Sequence, residues 1–176
     1  MRITQDWWTG RFDDAIASCR ALIQAGRNPF SPALGFDCQF TTAIAQRLKG
    51  DAAGAAATCE ALLKRLDRPD SSALGASSQA AYRGLAKACV GRKAQALQDL
   101  QTAIEIEQGD SRNVQGFMVS IAMVHAQFGE VDAAVAILKN SLQVPYGVTV
   151  GQLRFDPVWS SIRKDPRFQA LLVAPG

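Results

Sequence analysis

The stretch VGRKAQALQDLQTA, residues 90–103, decides the fold because its layout returns three more times in the chain. Residues 9–22 read TGRFDDAIASCRAL, residues 49–62 KGDAAGAAATCEAL, and residues 128–141 FGEVDAAVAILKNS. Aligned on Gly10, Gly50, Gly91 and Gly129, the copies stand 40, 41 and 38 residues apart. An alanine follows each glycine by five residues (Ala15, Ala55, Ala96, Ala134), and an apolar residue stands four further on (Cys19, Cys59, Leu100, Leu138). Glycine tolerates the left-handed backbone that ends one helix and turns into the next. The small alanine early in the second helix lets two helices approach closely. The residue one turn later continues the same buried stripe. A hairpin of this kind cannot bury its apolar face alone, so the repetition implies hairpins stacked on one another.

Around these anchors the pattern is helical throughout. Second helices are predicted over Phe12–Gln24, Ala52–Leu66, Lys93–Glu107 and Val131–Leu142, rich in Ala, Leu, Gln and Lys. First helices are predicted over Phe36–Leu48, Ala76–Val90 and Val114–Phe128. Breaker-rich runs separate the hairpins: GRNPFSP (26–32), DRPDSSALG (67–75) and EQGDSRN (107–113). The expected fold is all-α, a solenoid of about four helical hairpins over residues 1–147 with a capping segment over 148–176, together one continuous domain. Only nine residues precede Gly10, too few for a full first helix, so the first hairpin is expected to be incomplete. Three explanations stay open: a chain cut from a longer protein, a gene that begins inside an array, or a helix supplied by a partner or a second copy. Trp7 and Trp8 then form a candidate self-association edge, with a homodimer as its consequence.

Composition narrows the partners. The chain has 176 residues, 48% hydrophobic and 20% charged, with a net charge of +3. Such scattered basic charge lacks the stripe or tail of a nucleic-acid binder. Its only modest cluster is Arg154, Arg163, Lys164 and Arg167. No apolar run approaches the roughly 20 residues that span a bilayer, and MRITQDWWTG lacks the layout of a secretory signal. Neither nucleic acid nor membrane is expected as a partner, and a cytoplasmic location is. Cys19, Cys38, Cys59 and Cys89 show no C-x-x-C spacing, so no metal site is expected. They are expected to be buried thiols; a disulfide framework is the alternative.

No catalytic constellation emerges. His125, the only histidine, follows Ile121 by one helical turn on an apolar helix and reads as a packed core residue. Cys19 and Cys59 occupy equivalent repeat positions, which marks them as packing residues. Asp13 and Asp14 open a second helix, where carboxylates complement its dipole. No phosphate loop, dinucleotide fingerprint or kinase motif occurs, so neither a cofactor nor enzymatic activity is expected.

The turn glycine followed by the second-helix alanine and its apolar partner resembles the tetratricopeptide repeat, in all four copies from Gly10 to Leu142. Ala43, Gly84 and Ala122 fall where that family places a small residue in the first helix, seven before the turn glycine. Arg83, Lys87, Gln39 and Gln46 depart from it, standing where the family is usually apolar or aromatic. The proline after the second helix is also absent, and the period near 40 exceeds the usual one of about 34, which points to longer connections. The run VTVGQLRFDPVWSSIRKDPRFQALL (148–172) resembles the closing segment of arrays at the C-terminal ends of bacterial multidomain regulators, of serine/threonine kinase, nucleotide cyclase or winged-helix type. Its Asp156-Pro157 and Asp165-Pro166 pairs read as N-caps followed by proline at the first helical position. Trp159, Ile162, Phe168, Leu171 and Leu172 would cover the last hairpin.

What the resemblance implies is binding, through first-helix residues that line a concave surface. In the turn-glycine register these are Phe40, Ile44, Ala81, Leu85, Val119, Met123 and Gln127. That lining suits an amphipathic helix or an extended peptide; alternatively, the array closes tightly and these residues pack on each other. The expected function is a non-catalytic protein–protein interaction scaffold, a regulatory or docking region of a bacterial signalling protein. The alternative is a domain that senses a small-molecule or peptide ligand in the concave groove.

Overall fold

The computed structural model describes residues 2–24, 33–68 and 74–173. It is all-helical, with no strand among the described residues. The helices are α1 (Arg2–Trp8), α2 (Phe12–Gln24), α3 (Ala33–Leu48), α4 (Ala52–Leu66), α5 (Ala76–Cys89), α6 (Lys93–Ile106), α7 (Ser111–Gln127), α8 (Val131–Ser141), α9 (Val150–Phe155) and α10 (Pro166–Leu171), with a 3-10 turn at Pro157–Trp159. From α1 to α8 each helix packs on the next, and the odd-numbered α3, α5 and α7 also touch one another. The GRNPFSP connection and most of 67–75 lie outside the described residues.

One hydrogen-bond pattern closes all four turns. Gly10, Gly50, Gly91 and Gly129 all have positive φ, between 72° and 86°. The glycine N–H donates to the carbonyl three residues back (Trp7, Arg47, Ala88, Ala126), and the next N–H donates to the carbonyl five residues back (Asp6, Gln46, Lys87, His125). This double bond satisfies the carbonyls that a helix end would otherwise leave orphaned. Each following helix then starts in the same register: the N–H of Ala15, Ala55, Ala96 and Ala134 donates to the residue just after the glycine. Those four alanines and Cys19, Cys59, Leu100 and Leu138 are all buried, so the repeat seen in sequence is a repeat of packing.

Gly84 shows how close the packing is. A Cβ added there would lie 2.8 Å from the Ala96 carbonyl oxygen and 2.9 Å from Leu100 Cγ, so α5 and α6 touch through backbone. Three of the four departing polar residues in the first helices, all but Arg83, have partners across the hairpin. The Lys87 ammonium meets Asp99 of α6 at 2.7 Å. Gln39 accepts from Arg65 Nη1 at 2.8 Å, and Gln46 accepts from Thr58 Oγ1 at 2.7 Å. Position for position, a bond to the second helix replaces an apolar contact.

The cap is built as its two Asp-Pro pairs imply. Asp156 accepts from Val158 N and Asp165 from Arg167 N, each with proline in the first helical turn. Trp159 and Phe168 lie with ring centres 6.2 Å apart, and both are buried with Ile162 and Leu171 against Ala122, Ala126, Ala134 and Leu138 of α7 and α8. An additional helix, α9, starts at a capping box in which Thr149 and Gln152 satisfy each other's backbone N–H groups.

Two sequence expectations change. Cys59 and Cys89 are joined in a disulfide between α4 and α5, while Cys19 and Cys38 are free and buried. Cys59 lies on the buried stripe of α4, and stacking brings the last turn of α5 against it; neither sequence spacing nor a motif signals that approach. His125 is not a core residue: its side chain is half-buried at the α7–α8 turn, with Nδ1 2.7 Å from Glu130 Oε2. Among the described residues no helix is long and apolar enough to cross a membrane.

Candidate functional site

The first halves of α3, α5 and α7 enclose a groove of about 280 Å³. Its apolar floor is Phe40, Ala81, Leu85 and Phe117. Asp37 and Tyr82 border it, the Tyr82 hydroxyl donating to the Asp37 carboxylate, and Arg112 and Asn113 line it from the first turns of α7. Partial burial pushes the Asp37 carboxyl above its ordinary range, although the Tyr82 bond pulls the other way. Burial, then that same bond, pushes the Tyr82 phenol upward, so it stays protonated and remains the donor. The Arg112 guanidinium lies over the Tyr146 ring at 5.0 Å. Tyr146 is the one described non-glycine residue with positive φ. The groove thus carries one acidic and one basic side chain and the Tyr82 ring around an apolar floor that holds two more aromatic rings.

The final turns of α3 and α7 meet the cap around a second cavity of about 300 Å³. Arg47 and Leu48 line it from α3, Met123 and Gln127 from α7, and Val158, Ser160 and Ser161 from the cap. Gln127 Nε2 donates to the Ala88 carbonyl at 2.7 Å, and Ser161 Oγ donates to the Ala126 carbonyl at 3.2 Å. Nearby, the two ends of the chain touch: Trp7 Nε1 donates to Asp156 Oδ1 at 3.0 Å.

The seven concave residues expected from sequence divide accordingly. Phe40, Ala81 and Leu85 line the first groove, and Met123 and Gln127 line the second cavity. Ile44 is buried, and Val119 packs against the cluster beneath the cap, so neither borders either space. Sequence reasoning missed Phe117, Arg112, Asn113 and Arg47. The first three stand N-terminal to Val119, the first position chosen on α7, by about half a turn for Phe117 and about two turns for Arg112 and Asn113, and Arg47 carries no motif. Trp7 is engaged within the chain by Asp156 and by Phe12, whose ring centre is 5.7 Å away. The remaining edge is Trp8, 51% exposed. Asp6 of α1 is buried and takes Arg11 at 2.6 Å, which anchors the short first helix to its own turn.

Among the described residues, no group of three or more His, Cys, Asp or Glu is placed to hold a metal ion. No protein-family model, curated protein or solved structure matches the chain. The site therefore has to be read from its own chemistry.

Proposed function

We propose that this chain is a non-catalytic interaction module, a tetratricopeptide-like superhelix whose inner face docks a peptide segment of a protein partner. The observation that carries the reading is the groove across α3, α5 and α7. Phe40, Ala81, Leu85 and Phe117 offer apolar contact to alternate side chains, while Ser78, Asn113 and Ser120 stand within the same lining to bond a peptide backbone. Asp37 on one border and Arg112 on the other favour a segment with charges of both signs. Four identical turns hold the helices in register, so the surface is largely preorganised and little binding energy is lost to ordering it. A regulatory place in a bacterial signalling protein rests on the resemblance of residues 148–172 alone.

Selection of a displayed peptide library on the full chain tests the docking reading. Enriched peptides are expected to lose about tenfold or more in affinity for Leu85→Asp and Phe117→Asp, with little change for Arg20→Ala in α2, outside the groove lining. Equal binding to all of these would refute the groove. A second reading, ligand sensing in the concave face, is favoured by the cavity beside the cap. Native mass spectrometry that finds a bound small molecule would decide for it.

A further inference from the structure

The cavity beside the cap contains a charge with nothing to meet it. Arg47, in the last turn of α3, borders this space, yet among the described residues its side chain makes no ion pair and no hydrogen bond. Three other arginines are offset by acids: Arg11 by Asp6, Arg92 by Glu60, and Arg167 by Asp132 and Asp165. Asp156, an acid of the cap, already accepts from the Trp7 indole and from Val158 N. Desolvation alone pulls the Arg47 guanidinium below its ordinary pKa, with no neighbouring charge among the causes. A half-buried, uncompensated cation weakens a fold, and a neutral side chain of similar length would not. Its planar fork of N–H donors matches a carboxylate.

The rest of the lining completes the description of a ligand. Ser160 carries a hydroxyl with no partner among the described residues, a second donor in the same space. Ser161 and Gln127 are fixed by their bonds to backbone carbonyls and act as walls. Leu48, Met123 and Val158 supply apolar surface. One guanidinium in this mixed polar and apolar lining balances one negative charge; a doubly charged phosphate would leave the second unmet. We propose that this cavity binds a monocarboxylate with an apolar substituent, a small organic acid or a peptide C-terminus, with Arg47 as its charge partner and Ser160 as the second donor. The site requires neither the peptide groove nor a protein partner, so it stands or falls separately from the docking reading.

The test is calorimetric titration of the full chain with hexanoate, hexanamide, inorganic phosphate, and the tripeptide Ala-Ala-Leu with a free or an amidated C-terminus. The expected result is saturable binding of a carboxylate in at least one arm, about tenfold or more tighter than its neutral amide, since hydrogen bonds to charged groups exceed neutral ones by that order. The tighter arm identifies the source. Arg47→Met should abolish the preference for acid over amide, and Arg47→Lys should retain only part of it. The melting temperature of Arg47→Met should equal or exceed that of the parent, because an uncompensated charge has been removed. Acid and amide binding alike in both arms, phosphate binding tighter than hexanoate, or a Met variant that keeps the preference would each overturn the proposal. A Met variant that melts lower would also overturn it, since Arg47 would then be a structural residue.

Discussion

Replacing Gly84 by alanine sets two opposing effects against each other at one buried position. In a helix interior alanine is favoured over glycine by about 1 kcal/mol, through backbone entropy and propensity. At Gly84, however, the new methyl would stand 2.8 Å from the Ala96 carbonyl oxygen and 2.9 Å from Leu100 Cγ, and 3.3 Å from Asp99 Cβ. The first of these is backbone, so α6 itself must move away from α5. Overpacking of this kind costs about 1–3 kcal/mol, and displacement of Leu100 and Asp99 also strains the Lys87–Asp99 ion pair. The net expectation is destabilisation by about 1–2 kcal/mol. Gly116 in α7 is the control, since a Cβ there meets nothing within 4 Å; Gly116→Ala should stabilise by about 0.5–1 kcal/mol. Urea denaturation followed by circular dichroism measures both, as shifts of the midpoint at unchanged slope. Equal stabilisation by the two substitutions would refute the close approach of α5 and α6.

Other expectations follow from single contacts. Trp159→Ala should cost about 3–5 kcal/mol in the same denaturation assay, because its ring is fully buried under the cap. The Cys59–Cys89 disulfide closes a loop with a sequence separation of 30 residues; its removal by the double alanine variant should cost about 3–4 kcal/mol on a chain-entropy account, and alkylation of the unfolded, unreduced parent should modify only Cys19 and Cys38. Asp165 is held from its usual 3.8 to about 2, first by the Arg167 side chain and then by its backbone N–H. A depressed carboxylate stabilises the fold above its unfolded pKa, so its contribution is complete above about pH 4 and disappears as pH falls towards 2; Asp165→Asn should flatten thermal stability across that interval. If exposed Trp8 mediates self-association, light scattering should show a dimer that Trp8→Ala converts to monomer; a monomeric parent would remove that edge from consideration.

Legibility in the sequence followed the range of the interaction. The turn glycine, the alanine and the next apolar residue are local in each hairpin, and α2 and α4 have the bounds expected from their sequences. The N-caps at Asp156 and Asp165 were legible for the same reason. The Thr149–Gln152 capping box is equally local, a Thr-x-x-Gln signal that opens α9, but a helix of only six residues is too short to show an apolar period in sequence. Gln39, Gln46 and Lys87 looked like departures until their partners on the second helices were known. Contacts that depend on stacking left no local trace: Cys59 with Cys89 across two hairpins, and Trp7 with Asp156 between opposite ends of the chain. The groove lies between these cases: Phe40, Ala81 and Leu85 line it, Ile44 is buried, Val119 packs beside the cluster beneath the cap, and the lining on α7 is Phe117 and Arg112 in its first half.

The most direct measurement of the central claim is chemical-shift mapping of a library-selected peptide on the isotope-labelled chain. The account predicts perturbed amides on α3, α5 and α7, centred on Phe40, Leu85 and Phe117, with α4, α6 and α8 unmoved. Perturbations concentrated on the even-numbered helices, or none at saturating peptide, would contradict it.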